Sequence, residues 1–123
     1  MEYVFEKIHV PHQHSFISRE IQLAERLPKI HSHNNYELNY IVSGAGRRIV
    51  GDNISSFEKN DLVLLGPEVP HSWEILESHK NTAPSCITTH FYENIISSDF
   101  FNIPELEEVV DLLKRAHRGI CFK

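Results

Sequence analysis

Cysteine is scarce in this chain, and long apolar runs are absent. The 123 residues include two cysteines, Cys86 and Cys121, without a CxxC spacing. Two such thiols exclude a disulfide-built scaffold and fit a reducing compartment. No run approaches the roughly eighteen apolar residues of a membrane helix, and the start of the chain lacks the basic and apolar regions of a signal peptide. We therefore expect a cytoplasmic protein with no membrane partner.

Basic residues are also few relative to acidic ones. Twelve Lys and Arg stand against seventeen Asp and Glu, which gives a net charge of -5. This balance opposes attraction to phosphate backbones, so we do not expect the chain itself to bind nucleic acid. The length is close to that of one ordinary domain, and 41% hydrophobic residues are enough for a core.

The sequence pattern changes near residue 94. Before it, short segments rich in Val, Ile, Phe and Tyr are separated by Gly, Pro, Asn and Asp, which is typical of strands and turns. The many short strands favour a sandwich or barrel. Gly44 and Gly46, between two of these segments, predict a hairpin turn. The predicted strands cover residues 3–10, 16–23, 36–43, 47–50, 54–57, 61–65, 71–75 and 86–92.

After residue 94 the pattern is helical. Apolar residues recur at helical spacing from Leu106 to Ala116, with Asn102 as a candidate N-cap and Gly119 as a stop. The pattern predicts one amphipathic helix. Its apolar stripe packs either on the strands or on a second copy of the chain, and the sequence leaves both open.

Histidine is abundant, with nine residues, and some of them are spaced in an informative way. His31 and His33 point to the same side of an extended strand, and Glu37 shares their parity unless the intervening Asn pair interrupts the strand. His71 follows a proline-rich loop. Neutral imidazoles and one carboxylate suit Zn, Ni, Fe or Mn. Without further support, an HxH pair is more often a hydrogen-bonded structural feature than a metal site.

Further support comes from a family motif. His31-x-His33-x3-Glu37-x6-Gly44 resembles the first conserved motif of the cupin superfamily, with every spacing kept. The segment 60–71 resembles the second motif less completely. There His71 is in place, while the family's usual Gly, Pro, Gly and Asn are replaced by Asn60, Gly66, Glu68 and Ile75.

The cupin resemblance implies both a fold and a site. The fold is mainly β, a double-stranded antiparallel β-barrel of the cupin or jelly-roll type, here with a C-terminal amphipathic helix. The site is one pocket in which four residues are the ligands of one divalent transition metal: His31, His33, Glu37 and His71. In the alternative, the same four polar side chains hold water or the small-molecule ligand.

A narrower resemblance covers residues 16 to 123. The segments YELNYIVSGAGRRIVGD and NDLVLLGPEVPHSWEI, with a helix running into KRAHRGICF, resemble the N-terminal cupin domain of AraC-type transcriptional regulators. This implies a non-enzymatic sensing and dimerisation domain. It would bind a small polar effector, a sugar or related compound, form a homodimer, and reach DNA only through a C-terminal domain that this chain lacks. We expect an N-terminal strand or arm at 1–15, the barrel at 16–93 and a helical segment at 94–123 that leads to the missing domain.

Four other residues are candidates for ligand contact. Trp73 shares the parity of His71 and either stacks on a sugar ring or fills the core. Tyr36 is either a contact at the pocket rim or a packing residue. One of Arg47 and Arg48 either pairs with an anionic ligand or lies on a solvated strand edge.

Two further alternatives stay open at this point. If Glu37 and Asn39 face the interior, it is built to hold something polar, and Leu38 must be covered from outside. If they face solvent, the ligand site is lost. The alternative function is a small metal-dependent cupin enzyme, a dioxygenase or an isomerase, in which the same four residues hold the ion.

Overall fold

A computed structural model describes residues 3–11, 14–25, 30–76, 83–92 and 99–122. These residues form ten strands and one α-helix. The strands are β1 (Tyr3–Phe5), β2 (Phe16–Gln22), β3 (Ile30–Ser32), β4 (Tyr36–Ile41), β5 (Gly46–Val50), β6 (Asn53–Phe57), β7 (Leu62–Leu65), β8 (His71–Ile75), β9 (Ser85–Phe91) and β10 (Ile120–Phe122); the helix is α1 (Glu107–Arg115).

The strands form two five-stranded sheets. The first has the order β1-β3-β8-β5-β6, and the second has the order β10-β7-β4-β9-β2. All pairs are antiparallel except β1 with β3. The sheets are not joined into a closed barrel, so the architecture is a jelly-roll-like sandwich. The mainly β fold class with a C-terminal helix is confirmed.

The core lies between the two sheets. Val50, Phe57 and Trp73 of the first sheet form one buried cluster with Ile41 and Leu65 of the second. The β-branched and aromatic residues of the strands therefore point inward at alternate positions, as the pleat of a strand requires.

The predicted hairpin at Gly44 and Gly46 is wrong. β4 belongs to the second sheet and β5 to the first, so the turn carries the chain across the sandwich. The glycines are needed for close contact: Gly44 has a φ of 101° beside Pro84, and a Cβ on Gly46 would overlap the Glu74 carbonyl. The hairpin lies one turn later, between β5 and β6.

Helix α1 packs outside the second sheet. Leu113 and the following Ala116 form a second buried cluster with Tyr36 and Leu64. The stripe thus packs at least partly on the strands, although Val109 is 37% exposed. The predicted N-cap is wrong, because Asn102 lies in a 3₁₀ turn before the helix and Leu106 takes the N-cap position.

The segment after the helix returns to the sheet. Gly119, with a φ of 76°, ends the last turn as predicted, and β10 then pairs with β7. No helix among the described residues has the length and apolarity to cross a bilayer.

Candidate metal centre

The site is built where the chain passes from the first sheet to the second. β3 ends at Ser32 and β4 begins at Tyr36, and Asn34 and Asn35 form a bend between them. The Asn pair therefore does interrupt the strand. Even so, the bend brings His33 back onto Glu37, with the His33 Nε2 atom 3.0 Å from Glu37 Oε1.

Strand pairing supplies the remaining histidines. On the first sheet, β3 pairs with β8 so that His31 lies opposite His71. On the second sheet, β4 pairs with β9 so that Glu37 lies opposite His90. We call these five residues, His31, His33, Glu37, His71 and His90, the imidazole–carboxylate cluster. Their exposed fractions lie between 1% and 5%.

Three imidazoles converge on one carboxylate oxygen. Glu37 Oε1 is 3.0 Å from the Nε2 atom of His33, 3.1 Å from that of His90 and 3.7 Å from that of His71. The ring centroid of His31 is 4.4 Å from that of His71. The four residues that the cupin resemblance names are thus in one place, together with His90.

His90 was not singled out from the sequence. It shares the inward parity of Cys86 and Thr88 on β9, and all three are buried. The sequence of β9 does not show this, because the apolar Ile87 is exposed while the polar Thr88 is buried. What places His90 against Glu37 is the register of β4 with β9, which joins residues 53 positions apart.

The hydrogen bonds made by Nδ1 fix the tautomers of His33 and His71. Nδ1–H of His33 donates to the Asn35 carbonyl at 3.1 Å, and Nδ1–H of His71 donates to the Val69 carbonyl at 2.7 Å. In a neutral ring, Nε2 then carries a lone pair. Both lone pairs face a carboxylate oxygen, which is also an acceptor. Such an arrangement calls for a cation between them, either a proton or a metal ion.

His71 favours the metal ion over the proton. Burial lowers the pKa of His71 to about 3, even though the Glu37 carboxylate acts to raise it. The ring is therefore neutral near pH 7, and its buried Nε2 makes no hydrogen bond. Neutral imidazole is the form that binds metals, and a metal-binding histidine commonly donates its other N–H to a main-chain carbonyl.

The residues present fit a divalent transition metal. One ligand atom each from His33, Glu37 and His90 lies within 4.8 Å of the others. Imidazole nitrogens with one carboxylate oxygen are a donor set for zinc, nickel, iron or manganese. His71 is an additional donor, with its Nε2 atom 3.7 Å from Glu37 Oε1, and the His31 ring lies beside that of His71.

The two aromatic candidates lie in different places. Trp73 belongs to the core cluster between the sheets, and its ring meets the His71 ring edge-on at 5.6 Å between centroids. Tyr36 lies on the opposite face of β4 from Glu37. It stacks on Phe91 at 5.3 Å and packs with the helix cluster. The structure therefore brings Trp73 to the cluster and places Tyr36 away from it.

The alternation along β4 is also resolved. Glu37 and Asn39 are buried and face the interior, and Leu38 is covered from outside by the helix cluster. The interior of the sandwich is thus polar at this point, as the ligand hypothesis requires.

The chain is similar to known proteins in sequence and in structure. Residues 10–82 match the family model of the AraC-like ligand binding domain. No curated protein matches the chain. A cupin 2 conserved barrel domain protein from Rhodopseudomonas palustris is 15% identical, with a TM-score of 0.49, over 86% of this chain and 75% of that protein.

Oxalate decarboxylase of Bacillus subtilis, described with Mn(II) centres, is also similar. It is 20% identical, with a TM-score of 0.47, over 65% of this chain. The match spans about a quarter, 26%, of that enzyme's chain. Since the family model covers more than half of the sequence, the chain belongs to the family of AraC-like ligand binding domains.

Proposed function

We propose that this chain is the effector-binding domain of an AraC-type transcriptional regulator and is not an enzyme. It binds a small polar metabolite, a sugar or related compound, in the cytoplasm. Residues 16–93 form the sensing domain, and residues 94–123 lead to a separate DNA-binding domain. The observation that carries the proposal is the match of residues 10–82 to the AraC-like ligand binding domain.

The imidazole–carboxylate cluster is proposed to hold one divalent transition metal. His33, Glu37 and His90 form the centre of the ligand set, with His71 and His31 beside them. When bound, a divalent ion supplies positive charge that compensates the buried carboxylate. Because the cluster side chains are at most 5% exposed, the space suits an ion better than a metabolite.

Sensing requires a difference in affinity. An effector shifts the arrangement of the attached DNA-binding domains only as far as it binds one arrangement more tightly than the other. We propose that the two arrangements belong to a homodimer. Sedimentation equilibrium tests this part: we expect a dimer, and a strict monomer at high micromolar concentration would contradict it.

Metal content tests the cluster. The protein is purified without a histidine tag, and bound metals are measured by elemental analysis. We expect about one equivalent of a divalent transition metal, as one such site holds. The content should fall below a tenth of an equivalent in His33→Ala and in His90→Ala. His117→Ala is the matched control, because His117 is exposed and lies in the turn after α1. Equal content in all four proteins would contradict the metal site.

The same cluster also favours a second candidate, a metal-dependent cupin enzyme. The two candidates differ in what happens to a bound compound. Differential scanning fluorimetry against sugars and organic acids identifies compounds that raise the melting temperature, since these bind the folded state. Chromatography then shows whether they are recovered. A sensor returns each compound unchanged, whereas consumption by the metal-loaded protein identifies an enzyme.

A further inference from the structure

Two neighbouring arginines on β5 have opposite environments. Arg47 is exposed and pairs with Glu74 at 3.1 Å on the outer surface. Arg48 is only 7% exposed and shares the inward parity of Gly46 and Val50. A buried guanidinium always carries its charge, so burial is costly unless acceptors surround it. Arg48 therefore calls for a partner in a way that Arg47 does not.

Arg48 reaches a cleft at the open side of the sandwich. The cleft has a volume of about 1000 Å³ and lies between β6, the last strand of the first sheet, and β10, the last strand of the second. None of the residues of the imidazole–carboxylate cluster lines it. A space of this size accommodates a small metabolite.

The contacts of the Arg48 guanidinium with the described residues are all long. They join it to Asp61 Oδ2 at 3.5 Å, Ser55 Oγ at 3.4 Å and Cys121 Sγ at 3.8 Å. Short charge-assisted hydrogen bonds of arginine measure about 2.7 to 2.9 Å. Asp61 is also held elsewhere, because its carboxylate accepts the Glu58 main-chain N–H at 3.1 Å. The guanidinium thus has donor capacity that its neighbours fill only loosely.

From this geometry we propose that Arg48 binds the carboxylate group of the effector. The planar guanidinium matches a carboxylate in a two-point hydrogen bond. Ser55 and Asn53, on the same cleft wall, offer a hydroxyl and an amide to hydroxyl groups of the same ligand. The ligand class is a small hydroxy-carboxylate, such as a sugar acid. The inference rests on the proposed sensing function and adds the position and charge of the effector.

The charged residues around the cleft favour a ligand with one negative charge. Three basic residues and three acidic residues line it: Arg48, Lys59 and Arg118 with Asp52, Glu58 and Asp61. A lining without net charge does not attract a multiply charged phosphate strongly, whereas a single carboxylate needs only the local positive charge of Arg48. We therefore assign a carboxylate and make inorganic phosphate an arm of the test.

The test compares acids with their uncharged counterparts. Isothermal titration calorimetry at constant ionic strength uses gluconate against sorbitol, galacturonate against galactose, and lactate against 1,2-propanediol, with inorganic phosphate as a further ligand. We expect at least one carboxylate to bind while its counterpart and phosphate do not. Arg48→Gln should weaken that binding by about tenfold to hundredfold, the range for a lost hydrogen bond to a charged group. Arg47→Gln, the adjacent control, should leave it unchanged.

The alternative results are distinct. Circular dichroism checks the fold of each variant; if Arg48→Gln does not fold, Arg48→Lys and Ser55→Ala decide, and both should weaken binding. Equal weakening by Arg47→Gln, binding of phosphate as tight as that of the acid, or binding of none of these acids would overturn the assignment. If uncharged sugars bind and Arg48→Gln leaves their affinity unchanged, the sensing function stands while this inference fails.

Discussion

The two faces of β4 differ in polarity and in what packs against them. The inward face carries the buried polar residues Glu37 and Asn39, and the outward face carries Tyr36 and Leu38, which pack with the helix cluster. In most sandwiches the inward face is the apolar one. Here Ile41, on the same inward face, belongs to the core, whereas Glu37 and Asn39 do not, and the helix adds packing outside the sheet. This part of the interior is therefore available for chemistry. One six-residue strand therefore connects the candidate metal centre with the helix.

We expect the largest effect, a loss of metal affinity, from a substitution on the inward face of β4. Glu37→Gln keeps the shape of the side chain but removes the charge that three imidazoles approach. Loss of a direct ligand should exceed the tenfold to hundredfold cost known for residues that only support ligands, so we expect metal affinity to fall by about a hundredfold or more. Competition with a chromophoric chelator measures it. Unchanged affinity would show that the inward face does not bind metal.

The next effect is on the outward side. Leu113 is buried against Tyr36 and Leu64, so Leu113→Ala should lower the free energy of unfolding by about 2 to 5 kcal/mol. Metal content should stay the same in the folded protein. Urea unfolding measures the stability. Val109→Ala, at a half-exposed helix position, is the control and should change stability by less than about 1 kcal/mol. Loss of metal in folded Leu113→Ala would show that packing on the outward face and metal binding on the inward face are not independent.

A smaller effect concerns pH. The pKa of His71 is about 3 in the folded chain against 6.5 ordinarily, so between these values the unfolded chain binds one more proton. The free energy of unfolding should therefore fall as pH is lowered from 6.5 toward 3, by up to about 1.4 kcal/mol per pH unit from this group.

Urea unfolding with a chelator present, from pH 7 to pH 4, measures this slope. His71→Gln should have a shallower slope, and His117→Gln should keep that of the parent. A parent and His71→Gln with the same slope would mean that His71 does not titrate differently in the two states.

The smallest effect is again on the outward face. The Tyr40 hydroxyl donates to Asn60 Oδ1 at 2.6 Å in an exposed position. An exposed neutral hydrogen bond contributes little, so Tyr40→Phe should lower stability by about 0.5 kcal/mol and leave metal affinity unchanged. Thermal unfolding and the chelator competition test both. A larger loss of stability would indicate that Asn60, with a φ of 74°, depends on this bond.

Local patterns predicted most of the elements. Eight predicted strands correspond to β1, β2 and β4 to β9, because each is a short segment with β-branched or aromatic residues between turn residues. β3 and β10 were not predicted, since each has three residues and so short a run shows no alternation. β1 also has three residues, and the predicted strand 3–10 ran five residues beyond it. The Gly44 turn was misread because a hairpin and a crossing between sheets use the same glycines.

The site was predictable only in part for a similar reason. The spacing of His31, His33 and Glu37 lies within seven residues, so a motif contains it. His90 reaches the site through the pairing of β4 with β9. Arg48 differs from Arg47 only because its side of β5 faces the interior. Register is set by the whole sheet, and no short window of sequence contains it.

The cluster draws on both sheets. His71 comes from the first sheet, while Glu37 and His90 come from the second, so an ion shared by them would fasten the two layers much as a disulfide fastens a secreted domain. Cys86 and Cys121 form no such bridge here. Without the ion, the two layers would be held together less firmly. The gap between their free edges would then vary more in width.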